Sequence, residues 1–553
     1  VAHAETRLMD VGQFDLGQID LDQTAPQTCC TAALQNPFRR KSIMASVSPT
    51  RRTVLAGAAA TLALPGLAAA QTTPKTGGVL RVSVNTRTAS LNPLQISGPS
   101  EYIAADMLYS GLLRMAPTMQ PMPDLALDYT GDAEARVFTF RLRPGVTFHD
   151  GAPFTSADVV ATYRAIMDPK TASPAKAALG SLQTIEAVDP LTVRFTCATS
   201  FADFPVATAH SNARIVSVAG LSDLAGLATK PHGTGPFLLD VFDSTRLLRV
   251  VRNPHYFVPG QPFLDAVELP LFPDLTAEVQ NLLSGATDVM SDVQQADFKR
   301  VAAAPGVVGQ RVKSGRFVNV VMRMDSKPFD DIRVRTALAM AIDRDSLVDL
   351  VLEGLGQPAA DNVISPQYRY YRATPAAPYD PPGAKKLLAE AGYPNGLKIP
   401  LICSNRPAIR SSVGVAMKEM AREGGFDIDV QTIPHDTYLA NVWMKGNFYV
   451  GYWGMQATED AAFTLLFTTH AAFADTAWNN AEFDALVASG AATLDPDKRR
   501  AIYGQAQALM VRDKPSLLPM FQDVLTANRD RVRGWTVSPL QKTFFIERVW
   551  LAA

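Results

Sequence analysis

Residues 330–515 switch repeatedly between two hydrophobic periods, and this switching restricts the fold more than any other property of the chain. Val334, Ala337, Leu338, Ala341 and Ile342 fall at i, i+3, i+4, i+7 and i+8, one apolar face of a helix. Gly354 is the predicted stop of that helix. A second helix starts at Asp380 with Pro381-Pro382 in its first turn and ends at Gly392. A third covers 411–422 ahead of Gly424-Gly425, and a long last one runs from Asp495-Pro496 to about Val511. Strand-like segments over 398–403, 428–432 and 448–453 lie between them. Alternating strands and helices predict an α/β fold.

The first half is richer in strands. Leu80, Val82 and Val84 alternate with polar residues, and Phe138, Phe140 and Leu142 do the same over 137–143. Pro144-Gly145 then turns the chain, and 146–149 reads as the returning strand before Asp150-Gly151. Thr155 and Asp158 have capping-box spacing, so a helix is predicted over 157–167. Further strands are expected over 184–188 and 191–197, and a hairpin from 237–241 and 246–251.

Ahead of all this stands Arg51-Arg52, followed by an apolar, alanine-rich run that closes on Ala68-Ala69-Ala70. A charged stretch, an apolar core and a small-residue site are the parts of a secretory signal peptide. The adjacent arginines resemble the twin-arginine (Tat) signal, which carries folded proteins across the bacterial inner membrane. Pro65 interrupts the run, which is barely long enough to span a bilayer, so cleavage near Ala70 is expected over anchoring. With Met44 as a natural start, 44–70 is the leader, and 1–43, including Cys29-Cys30, is expected to be disordered and outside the working protein.

The remaining chain of about 480 residues suggests two or three domains. It carries Cys197 and Cys403, both in apolar strand-like segments and expected as buried thiols. Hydrophobic residues make up 47% and charged residues 19%, an ordinary globular mix. A net charge of −1 without a basic stripe argues against nucleic acid as a partner.

Catalytic signatures are missing. The sequence holds no G-x-S-x-G, H-E-x-x-H or P-loop, and its seven histidines include no pair at metal-ligand spacing. Gly233-Thr234-Gly235-Pro236-Phe237 reads as a turn because Pro236 and the hairpin leave no helix N-terminus for a phosphate. His435 and His470 are read as solvated or hydrogen-bonded rather than as isolated ligands. No enzyme activity, cofactor or metal is expected.

Several stretches resemble the large extracellular solute-binding proteins of bacterial ABC importers, the dipeptide, oligopeptide and nickel group (family 5). They are Ser90-Leu91-Asn92-Pro93; Phe138 through Gly151 with Thr155-Ser156-Ala157-Asp158-Val159; Gly233 through Phe237 with Asn253-Pro254-His255-Tyr256; Pro328 through Arg335 with Ala341-Ile342-Asp343-Arg344; and Tyr379-Asp380 through Ala391-Gly392-Tyr393. They follow the family's order. The resemblance implies a two-lobed, class II-like periplasmic-binding-protein fold with the ligand cleft between the lobes. Lobe I would hold 76–313 and 520–553, with an inserted subdomain over about 106–229, and lobe II would hold 314–519. The lobes would hinge shut on the ligand. The implied partners are a small-molecule or peptide ligand, an ABC permease in the inner membrane and the Tat machinery, with the protein itself a monomer.

The resemblance also locates ligand contacts. Arg406 precedes Pro407 just after the strand over 397–403, where dipeptide-binding relatives hold the peptide carboxylate with an Arg-Pro. A planar guanidinium can pair bidentately with that group. Those relatives also bind the free amine with an aspartate a few residues after the tryptophan that corresponds to Trp453, and here Gln456 takes that place. Glu459 or Asp460 would restore the charge from nearby; Asp460 would alternatively cap a helix beginning near Ala461. Tyr452 and Trp453 point to opposite faces of their strand, and Trp453 is expected to line the cleft. From lobe I, the loop over 97–102 would offer Gly98 for close backbone approach and Tyr102 as a cap. A small peptide or peptide-like carboxylate is the first expectation. A nickel–metallophore, opine, glutathione or sugar on the same scaffold is the second, and an exported hydrolase the third.

Overall fold

The computed structural model describes residues 73–552. The leader, its arginine pair, the cleavage site and the segment before Met44 lie outside them.

Two long antiparallel strands, Val307–Met322 and Ser516–Arg529, run side by side through the middle of an eleven-stranded sheet. Beyond one of them come Phe448–Trp453, Leu397–Ser404 and Phe426–Ile433; beyond the other come Val289–Met290, Val79–Ser83, Ala266–Pro270, Leu247–Arg252 and Phe237–Asp243. Gly356–Pro358 adds a short strand to Ser516–Arg529. The two wings of this sheet belong to two lobes, each with its own core. Leu80, Phe140, Val193 and Val267 with the C-terminal Phe544 and Ile546 fill lobe I. Val318, Leu338, Leu401 and Val450 fill one part of lobe II, and Phe463, Phe483 and Tyr503 another.

The ladder between the two long strands shifts register twice, between Val318 and Val320 and, more widely, at its centre. Val312 faces Val524, and pairing resumes with Arg316 opposite Gln522. Residues 313–315 bulge out at the break. A Cβ on Gly315 would come within about 3 Å of Ser365, Met455 and Tyr368, so the bulge needs a residue without a side chain here.

Strand register fixes where the lobes face each other. Trp453, at the carboxyl end of its strand, lies level with Phe317, one residue from the resumed ladder. In lobe I, Met290 at the carboxyl end of its strand faces Ala527, and Val289 faces Asn528, so this strand also points at the break. Val79–Ser83 runs parallel to it. Leu397–Ser404 runs parallel to Phe448–Trp453, with Ile402 level with Tyr449. The carboxyl edges of both lobes therefore converge on the bulge, and carboxyl edges are where open α/β sheets take their ligands.

A separate four-stranded antiparallel sheet, in the order Ala126–Gly131, Val137–Leu142, Thr192–Cys197 and Leu182–Asp189, forms the inserted part of lobe I. The helix Ser156–Met167 packs on it and starts with the reciprocal Thr155–Asp158 capping box that the spacing predicts. Phe140, Phe195 and Tyr163 meet at ring distances of 5.4 and 4.9 Å in its core.

Four local expectations change. Residues 146–149 are not a strand, because Val137–Leu142 is already paired on both edges, with Ala126–Gly131 and Thr192–Cys197. The segment instead folds on itself, with Phe154 N–H donating to Val146 O. The apolar face that starts at Val334 is split into two helices, Ile332–Met340 and Arg344–Leu352, because the Asp343 side chain accepts from Ser346 N–H and starts a new one. The stretch over 97–102 is not all loop, since a helix, Pro99–Leu108, begins within it. Thr458, not Asp460, caps the helix Glu459–Leu466, accepting from Ala461 N–H at 3.1 Å. Cys197 and Cys403 are buried free thiols.

Candidate functional site

Arg406 stands in the turn leaving Leu397–Ser404, on the carboxyl edge of lobe II. The Ser404 hydroxyl ties this turn. It donates to Arg406 O at 2.9 Å, accepts from Arg406 N–H at 3.1 Å, and lies 2.9 Å from His435 Nδ1. Fixing the backbone this way leaves the side chain free. The Arg406 guanidinium is exposed and makes no hydrogen bond or ion pair among the described residues. Burial, and the charges of Arg410 and Arg406, hold His435 below the ordinary histidine range despite Asp436. It is therefore neutral at pH 7.

Trp453 ends the neighbouring parallel strand. Its ring stands 5.3 Å from Phe473 and 6.3 Å from Trp443, and those two stack at 5.4 Å. All three are half-buried, so they form an aromatic wall with one open side. The Trp453 indole N–H is buried without a partner. Tyr452 points to the opposite face, as alternation predicts, and its ring lies 6.0 Å from the Arg410 guanidinium.

Gln456 stays beside the wall. Its amide donates to Gly454 O at 3.0 Å, and its backbone N–H donates to the Tyr368 hydroxyl at 3.0 Å. The two acids that follow go elsewhere. Glu459 is buried and accepts from Tyr370 N–H. Asp460 lies beside Asp203, Arg499 and Tyr503; burial and the Asp203 charge outweigh Arg499 and push its carboxyl up to about 7. Arg499 itself is clamped by Asp203 of lobe I in a bidentate pair of 2.7 and 2.5 Å. Glu459 and Asp460 thus belong to this buried interlobe cluster and do not restore an acid beside Gln456.

On lobe I, Gly98 caps Pro99–Leu108, and both its polar backbone groups are occupied. Its N–H donates to Glu101, and its carbonyl accepts from Glu101 and Tyr102. Gly98 can therefore give a ligand room but no hydrogen bond. Glu101 was not singled out from the sequence, yet its carboxylate gathers the N–H groups of Ala89, Ser90, Ser97 and Gly98. Tyr102 is half-buried under the Lys542 ammonium, 5.6 Å from its ring, and burial next to Glu101 pushes its hydroxyl up to about 12. Between the lobes, Arg316 at the resumed ladder reaches Asp292 at 3.8 Å and bonds Gln541, which also bonds Ser291 O and Asp292 at 3.0 Å. Among the described residues no hydrogen bond or ion pair joins Gly98 or Tyr102 to the Arg406–Trp453 edge, and no three His, Cys, Asp or Glu residues are grouped to hold a metal.

The sequence comparisons fit this architecture. The model of the bacterial extracellular solute-binding proteins, family 5 Middle, matches residues 120–475. The glutathione-binding protein GsiB of Escherichia coli (strain K12) is 26% identical over 478 residues, covering 83% of this chain and 92% of that protein. Among solved structures, the PBP AgaA in complex with agropinic acid from A. tumefacien R10 superposes with a TM-score of 0.73 at 25% identity, covering 86% of this chain and 99% of that one. The ABC transporter substrate binding protein CtaP of Listeria monocytogenes reaches a TM-score of 0.79 at 23% identity, covering 86% and 100%. With two lobes, converging carboxyl edges and a family match over most of its length, this chain belongs to the bacterial extracellular solute-binding proteins, family 5.

Proposed function

We propose that this chain is the periplasmic receptor of an ABC importer for a small peptide or peptide-like carboxylate. It works as a monomer after Tat export and cleavage near Ala70, closes its lobes on the solute and hands it to a membrane permease. Arg406 holds the carboxylate and Trp453 supplies the flat wall. One observation carries this reading. The unpaired, exposed Arg406 guanidinium stands on the carboxyl edge of lobe II, on the strand next to the Trp443–Trp453–Phe473 wall. Guanidinium–carboxylate pairing over an apolar wall is the usual grammar of such pockets.

The amine side favours solutes without a primary α-amino group, such as opine-like ones, over plain dipeptides. Gln456 brings no charge, and Glu459 and Asp460 are engaged with Tyr370 and the Arg499–Asp203 cluster. A free α-amino group meets no carboxylate there. The agropinic acid bound to AgaA points the same way, and the glutathione named for GsiB supports the wider class of peptide-like carboxylates. Native mass spectrometry of the protein from its own periplasm tests the solute class: a co-purified metal complex or sugar would sink the carboxylate reading. Arg406→Ala is expected to weaken binding by on the order of 2–5 kcal/mol in titration calorimetry, and unchanged affinity would remove Arg406 from the site.

A further inference from the structure

Six arginines are buried among the described residues, and five are answered. Arg114 has Glu547, Arg214 has Asp106, Arg344 has Asp361 and Arg499 has Asp203. Arg335 donates to the carbonyls of Phe329, Asp513 and Lys514. Arg410 is the exception. It is 7% exposed, its Nε and Nη1 are buried without a partner, and its guanidinium makes no hydrogen bond or ion pair among the described residues. The groups that act on its charge are Tyr438, Tyr452, Cys403 and Tyr449, none of them a carboxylate. Its guanidinium lies over the Tyr438 ring at 4.9 Å. A ring face answers a cation weakly and leaves the N–H groups at its rim unsatisfied.

The position sharpens the anomaly. Arg410 sits in the first turn of the thirteen-residue helix Ile409–Ala421, where the aligned peptide dipoles already place positive charge. A buried cation there is doubly unfavourable unless an anion arrives. Arg410 follows Arg406 by four residues; the Tyr438 ring it lies over stacks 6.4 Å from His435, and His435 stands 2.9 Å from the Ser404 hydroxyl that ties the Arg406 turn, so the two arginines border one small region at the cleft edge. His435 is neutral there and brings no competing charge.

We infer that Arg410 is a second anion point beside Arg406, and that the solute presents two carboxylates to lobe II. The inference rests on the proposed capture of a carboxylate at Arg406. It goes further, because it excludes a solute with a single carboxylate as the preferred ligand.

Titration calorimetry on the full chain tests it with glutathione, which has two carboxylates, and its glycine amide, which has one. Wild type is expected to bind glutathione at least about tenfold more tightly than the amide. Arg410→Met abolishes that preference while still binding the amide, and Arg406→Met weakens both. An unchanged preference in Arg410→Met, or equal loss for both compounds, overturns the inference and leaves Arg410 a packing residue. If wild type binds neither compound, the glutathione reading falls, and a second measurement decides. In thermal unfolding, succinate is compared with acetate at equal ionic strength. Extra stabilisation by succinate that is lost in Arg410→Met supports the second anion point; no such difference in wild type overturns it.

Discussion

Arg499 and Arg410 both sit in the first turns of lobe II helices, and both are buried. Arg499 meets Asp203, 296 residues away, in a bidentate pair, and the backbone next to it joins the lobes through Ala202 N–H to Ala491 O. Burial alone would lower its basicity, but Asp203 holds it above the ordinary arginine range. Arg410 has no such partner, and burial pulls it below that range. The same side chain in the same local setting is complete in one place and incomplete in the other. A completed charge holds the protein together, whereas an incomplete one on a cleft edge reports what the protein awaits.

The comparison breaks most visibly at Asp203. Asp203→Ala is expected to cost about 3–5 kcal/mol in urea denaturation, because it strands the Arg499 charge. A loss below about 1 kcal/mol would mean that Arg499 is answered by its Tyr370 and Tyr503 rings alone. A pH titration sharpens the same cluster. Asp460 has its folded value pushed up to about 7, above the unfolded value, so the folded state holds a proton that the unfolded state releases. Stability should therefore fall as pH rises from about 4 to about 7 and then level off. The drop should be on the order of 2–3 kcal/mol, allowing for partial exposure, and Asp460→Asn should flatten much of it. The smallest effect belongs to Arg410. In ligand-free protein Arg410→Met should change stability by less than about 1 kcal/mol, or raise it, since an apolar side chain replaces an unanswered charge. A loss as large as that of Asp203→Ala would place both arginines in the same structural class.

The resemblance carried the two-lobed fold, but what residue spacing alone could tell was local. The Thr155–Asp158 box and the Asp380 and Asp495 caps each lie within one turn of the helix they start. Opposed faces for Tyr452 and Trp453 follow from strand geometry alone. What could not be read depends on distant partners. Residues 146–149 look like a strand, but the edge they would need is taken by Thr192–Cys197. Glu459 and Asp460 look available next to Gln456 until Tyr370, Arg499 and Asp203 are placed around them. Arg410 left one faint signal, a cation in the first turn of a helix, and only the burial of its neighbours gives that signal meaning. Trp443 and Phe473 joined the wall unannounced because they come from separate loops.

The break at 313–315 has a mechanical consequence. Because both crossing strands are hydrogen-bonded to each other on either side of it, they behave as a ribbon that resists stretching and yields to twist. In a rotation of the lobes about this ribbon, residues near the break, such as Arg316 and its partner Gln541, would travel least. Arg406 leaves a strand two places further out, so a twist of this ribbon would carry it through a longer arc than Trp453, which is level with Phe317 beside the break. If the lobes close by such a twist, the floor of the cleft would gauge the solute's inner end, and its outer end would set how far the swing can go.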